Sequence, residues 1–181
     1  MKIINIANII TFFRLFSVPI ILLMILDDKL EIAFWFFLFA CFTDIFDGLL
    51  ARKLKIVTEF GKILDPLSDK ILVFSVLITL SYKNFIEWPI VVIIVLRDFI
   101  IVLGAVLSIL LKKKINYSPL KIGKITFFFQ TIFIGMLLCN YANFFNIEIL
   151  IKYFGLIIIY LTFISGIWYL IRWLKELVVN L

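Results

Sequence analysis

Four aspartates, Asp44, Asp47, Asp65 and Asp69, stand at the ends of two apolar segments. The stretches read Asp44-Ile-Phe-Asp47-Gly48-Leu-Leu-Ala51-Arg52 and Gly61-Lys-Ile-Leu-Asp65-Pro-Leu-Ser-Asp69. Acids this close to a bilayer are costly unless they are paired, hydrated or metal-bound. On a helix, Asp44, Asp47, Gly48 and Ala51 fall on one narrow face, and Gly61, Asp65 and Asp69 stack at i, i+4 and i+8 on another. Two helices would then each present a carboxylate pair with small residues beside it. Oxygen ligands of this kind suit one or two hard divalent cations such as Mg²⁺ or Mn²⁺. Gly48, Ala51 and Gly61 leave room for a ligand to approach the backbone, and Arg52, one turn beyond Gly48, suits a phosphate. The chain has no histidine, so any general base must be a carboxylate.

The spacing Asp-x2-Asp-Gly-x2-Ala-Arg-x8-Gly-x3-Asp-x3-Asp resembles the signature of the CDP-alcohol phosphotransferase family of membrane enzymes, and every fixed position matches. A set of membrane-edge acids without chemistry would explain aspartate here, but not two pairs with glycine or alanine on matching faces. The resemblance implies transfer of a substituted phosphate from a CDP-linked donor to an alcohol, with release of CMP. It implies a divalent cofactor, Mg or Mn, as two ions. Asp44, Asp47 and Asp65 are the expected metal ligands. Asp69 is expected to be a further ligand and the catalytic base for the acceptor hydroxyl. Gly48, Arg52 and Gly61 would contact the CDP moiety.

Two other stretches carry polar residues into apolar surroundings. The first is Asn8-Ile-Ile-Thr11-Phe-Phe-Arg14. Its bland reading is an N-cap followed by an arginine snorkelling to the interface. Its functional reading is a stripe lining the site, which the family resemblance supports, so Asn8 and Thr11 join the CDP-binding set. Related enzymes commonly place proline before that asparagine, where this chain has Ala7. The second stretch is Arg97-Asp98, deep in an apolar run, where charge is expensive unless it faces a cavity. A structural ion pair is one reading, although neighbours in sequence do not point the same way on a helix. The other is an arginine reaching an acceptor phosphate together with Lys121 and Lys124. Those lysines open a later span, where basic residues oppose the helix dipole and hint at an anionic partner. Thr126 and Gln130 extend the same face, whereas Ser165-Gly166 and Tyr169 suit close helix packing.

These residues must be positioned by a membrane domain. The chain has 181 residues, 65% of them apolar, and a mean hydropathy of +1.20, far above a soluble domain. The expected fold is a single all-α integral membrane domain, residues 1–181, with six transmembrane helices near 6–26 (interrupted by Pro19), 31–52, 61–81, 88–111, 119–140 and 147–172. No cleavable signal peptide is expected, since the first apolar run contains Arg14. Cys41 and Cys139 read as small buried hydrophobes.

Arg52, Lys53, Lys55 and Lys62 mark one link, Lys112, Lys113, Lys114, Lys121 and Lys124 another, and Arg172 and Lys175 the C-terminal end. The opposite links carry only Lys29, Lys83 and Lys152. That asymmetry predicts both termini and the aspartates on the cytoplasmic side of the inner membrane. It also accounts for the net charge of +6 through anionic lipid rather than nucleic acid.

Expected partners are CDP-diacylglycerol, a phosphorylated alcohol acceptor and the lipid bilayer, with a homodimer left open. Glycerol 3-phosphate is the first-choice acceptor, by resemblance to phosphatidylglycerophosphate synthases. Arg97-Asp98 and Gly123-Lys124-x-Thr126 also resemble CMP-forming cardiolipin synthases, whose acceptor is phosphatidylglycerol. Inositol phosphate and serine remain as further acceptors. From other classes, a small cation transporter would predict acids near the bilayer centre, and an oligomeric scaffold leaves the aspartate spacing unexplained.

Overall fold

A computed structural model describes the backbone of residues 6–54, 59–110 and 121–179, and the side chains of residues 12–44, 67–103 and 122–172. The described chain is helical: α1 (Ile6–Leu26), α2 (Leu30–Leu54), α3 (Glu59–Tyr82), α4 (Trp88–Leu110), α5 (Lys121–Tyr141) and α6 (Glu148–Val179). Boundaries follow the apolar runs closely, with two departures. Helix α1 continues through Pro19 instead of being interrupted there. Proline costs a backbone hydrogen bond, but membrane helices tolerate it where neighbours satisfy the freed groups. Helix α6 runs past 172 because Trp173 to Val179 contain no proline or glycine to stop it.

The chain divides into two compact units. The first comprises α1, α2, α3 and the end of α5 with the turn that follows, and in it α1 packs against both α2 and α3. Arg14, Ser17, Val18, Ile21 and Ile25 form the buried stripe of α1, at the spacing of one helix face. Ala33, Phe37 and Ala40 form that of α2, and Leu72, Val73, Val76, Leu77 and Leu80 that of α3.

Three helix ends in this unit share one stop. Asp28 (φ 60°), Asn84 (φ 58°) and Asn143 (φ 60°) are left-handed, a conformation that Asn and Asp tolerate better than most side chains. The amide after each donates back across the last turn: Lys29 to Met24 at 2.8 Å, Phe85 to Leu80 at 2.9 Å and Phe144 to Cys139 at 3.2 Å. This is the Schellman closure of orphan helix carbonyls. Lys83 then ties the end of α3 to that of α1, with its Nζ 2.6 Å from Asp28 Oδ1 and 3.3 Å from the Leu26 carbonyl.

The second unit comprises α4, the first part of α5 and α6, and in it α4 packs on α6. Its apolar core includes Val91, Ile94, Phe133 and Ile158. Among the described residues, Ile122–Tyr141 and Glu148–Arg172 are each long and apolar enough to cross a bilayer, with hydropathies of 1.8 and 2.1. Phe16, Trp35, Ile149, Tyr153, Tyr160 and Trp168 are all exposed. So much outward aromatic and aliphatic surface suits lipid, not water.

Candidate active site

Asp44, Asp47, Gly48 and Arg52 all fall within α2, and Gly61, Asp65 and Asp69 within α3. Both halves of the motif are therefore helical, as the face argument requires. Of the expected ligands and contacts, the side chains of Asp47, Gly48, Arg52, Gly61, Asp65, Asn8, Thr11 and Lys121 lie outside the described residues. Asp44, Asp69, Arg97 and Lys124 lie within them.

Asp44 and Asp69 converge on one cation. Arg14 Nη2 lies 2.9 Å from Asp44 Oδ1, and Arg14 Nη1 is paired with Asp69 Oδ1. Arg14 Nη1 also donates to Ser68 Oγ at 3.3 Å. The arginine side chain is fully buried, while the carboxylates remain 41% and 22% exposed. Arg14 therefore does not snorkel. It crosses from α1 to both motif helices, which is how α1 takes part in the site. Ser17 Oγ donates to the Arg14 carbonyl at 2.6 Å and steadies that turn.

Two aspartates on different helices, both within ion-pair reach of one guanidinium, present oxygen donors of the type a divalent cation takes. The donor chemistry fits a metal. Among the described residues no three acidic, cysteine or histidine side chains come together; Asp47 and Asp65, the other two expected ligands, lie outside them. Cys41 and Cys139 are free and half-buried.

In the second unit, Arg97 is 7% exposed and Asp98 2%. Their side chains meet at 2.5 Å, although they are neighbours in sequence. The arginine stem is long enough to bring the head back to its neighbour's carboxylate. Arg97 also donates to Ser165 Oγ and lies 5.6 Å from the centre of the Tyr169 ring. Ser165 and Tyr169, expected only to serve packing, thus hold the arginine. Gly123 matters for the same reason: a Cβ there would sit 2.8 Å from the Tyr169 hydroxyl and 3.1 Å from Arg97 Nη2. Among the described residues, Arg97 Nε and both amide atoms of buried Gln130 have no hydrogen-bond partner. Lys124, one residue beyond Gly123, is exposed.

A family model described as CDP-alcohol phosphatidyltransferase matches residues 4–168. The chain belongs to the CDP-alcohol phosphatidyltransferase family. Relatives within it carry different names. The chain is 33% identical to a "Probable phosphatidylglycerophosphate synthase" of Mycobacterium tuberculosis, over 97% of this chain and 85% of that protein. It is 34% identical to a "CDP-diacylglycerol--glycerol-3-phosphate 3-phosphatidyltransferase" of Aquifex aeolicus, over 75% of this chain and 74% of that one. A "Cardiolipin synthase (CMP-forming) / mitochondrial hydrolase fusion protein" of Schizosaccharomyces pombe is 37% identical over 56% of this chain, but over only 17% of its own length.

For a CDP-alcohol phosphatidyltransferase, the residue that the motif leaves out is Arg14. It stands three positions after Thr11 in the opening polar stripe. That spacing was the available signal, and only the partners on α2 and α3 give the arginine its meaning.

Proposed function

We propose that this phosphatidyltransferase moves the phosphatidyl group of CDP-diacylglycerol to glycerol 3-phosphate and releases CMP. The observation that carries the reading is the meeting of Asp44 and Asp69, one from each half of the motif, on a shared cation. The two relatives matched along most of their own length, whose names specify glycerol 3-phosphate or its product, support the acceptor.

The acceptor hydroxyl oxygen attacks the phosphatidyl phosphorus. The bond from that phosphorus to the CMP oxygen breaks, and CMP leaves with the electron pair. Asp69, partly exposed, takes the hydroxyl proton. Asp44, Asp47, Asp65 and Asp69 would hold the divalent metal, which would supply charge neutralisation for the diphosphate. Gly48, Arg52, Gly61, Asn8 and Thr11 bind the CDP moiety. Arg97, Lys121 and Lys124 hold the acceptor phosphate. Six transmembrane helices cross the inner membrane with both termini cytoplasmic, where soluble glycerol 3-phosphate is met.

The test is CMP release from CDP-diacylglycerol by the purified protein, with glycerol 3-phosphate and phosphatidylglycerol offered separately. Release with glycerol 3-phosphate alone is the expected result. Release only with phosphatidylglycerol would transfer the assignment to the cardiolipin synthase reaction.

A further inference from the structure

We propose that Arg14 is a built-in counter-cation of the aspartate site, a positioning residue that holds Asp44 and Asp69 together and competes with the divalent metal for them. This deepens the metal reading above and rests on it.

The geometry separates a dry cation from two wetter anions. The Arg14 side chain has no exposed surface, whereas Asp44 and Asp69 keep 41% and 22% of theirs. An arginine reaching for a substrate diphosphate would present its head to the open side of the site. This head is covered and touches the two aspartates and Ser68. Its effect on the reaction therefore passes through the carboxylates. It anchors one on α2 and one on α3 with a planar fork that a point charge cannot reproduce. It also lets two acids sit side by side before any metal arrives, since its positive charge offsets the repulsion between them.

A positive charge in contact with the same carboxylate oxygens opposes an incoming divalent cation. Away from bulk water that repulsion is several times stronger than in solvent. Removing it should tighten metal binding by at least about tenfold, even though the carboxylates are then less firmly placed. Lysine at the same position keeps the charge but cannot span both acids, so it should fall between.

The test uses the full chain in detergent as wild type, Arg14→Gln and Arg14→Lys. Mn²⁺ binding is followed by electron paramagnetic resonance, and the thermal midpoint is read in chelator and in saturating Mn²⁺. The expected order of Mn²⁺ affinity is Gln variant tightest, then Lys variant, then wild type. The Gln variant should lose thermal midpoint in chelator and recover most of it in Mn²⁺. Equal or weaker Mn²⁺ binding by the variants overturns the proposal. So does a loss of midpoint that is the same with and without Mn²⁺, which is what a packing role alone would give. If the Gln variant does not fold, the affinity of the Lys variant against wild type carries the same decision. A wild-type protein that binds no Mn²⁺ removes the metal reading itself, and this inference with it.

Discussion

Arg97→Gln tests two roles in one protein. The side chain sits in the second unit with its head against Asp98 at 2.5 Å, and both residues are buried. Removing the arginine charge leaves Asp98 a buried anion without its ion-pair partner Arg97, a change that typically costs about 3–5 kcal/mol. For a chain of this size each kcal/mol moves the thermal midpoint by about 2–4 °C, so the expected loss is about 6–20 °C. Neutralising both residues, as Arg97→Gln with Asp98→Asn, should restore much of it, because two neutral amides replace the ion pair. Catalysis supplies the second readout. One charge-assisted phosphate contact is worth about 1.5–3 kcal/mol, so the KM for acceptor should rise roughly ten- to a hundredfold. The KM for CDP-diacylglycerol should change little, whereas Arg52→Gln should weaken the donor instead. Thermal midpoint and both KM values are measured on the same samples. A single variant as stable as wild type, or a double variant no better than the single, refutes the ion-pair reasoning. An unchanged acceptor KM in folded protein removes Arg97 from the acceptor site.

Three further outcomes are expected. Chelation should abolish CMP release, and Asp65→Asn, which keeps size but removes ligand charge, should cut turnover severely in folded protein; near-normal turnover would contradict a two-helix metal site. Cysteine-accessibility labelling from outside the cell should miss a probe at position 55 and find one at 83, and the reverse pattern would put the active site on the wrong face for CDP donors. Asn84→Val should destabilise the protein by about 1–2 kcal/mol in thermal unfolding, since a β-branched residue must adopt the left-handed conformation of the α3 stop, while Asn84→Gly should be nearly neutral.

The helices were legible because each apolar run is long and bounded by polar or turn-forming residues. The helical setting of the aspartates was legible because residues three and four apart on a helix share a face, whatever the rest of the chain does. What the sequence could not supply was partnership across helices. Arg14 has the same composition whether it snorkels to a headgroup or is buried against Asp44 and Asp69, and only the packing of α1 on α2 and α3 decides between them. For Arg97 and Asp98 the sequence left an ion pair and a phosphate contact both open. Backbone geometry points their Cβ atoms apart, but a four-bond arginine stem has reach enough to close the pair. The partners Ser165 and Tyr169 lie on α6, so nothing local to Arg97 announced them.

Burying Arg14 also sets an order of assembly. On the six-span reading proposed above, a charge within an isolated membrane helix would cost up to about 2.5–3.5 kcal/mol on insertion scales, so α1 alone would be a poor lipid segment. Its partner Asp69 lies 55 residues further along the chain. At about 5–20 residues per second of synthesis, that is a delay of about 3–11 s before the second of the two carboxylates, after Asp44, can answer the charge. During that interval α1 would have to be held by the insertion machinery or by hydrated lipid headgroups. The nascent chain would therefore commit α1, α2 and α3 to the bilayer as one body, with the site's own ion pairs closing it.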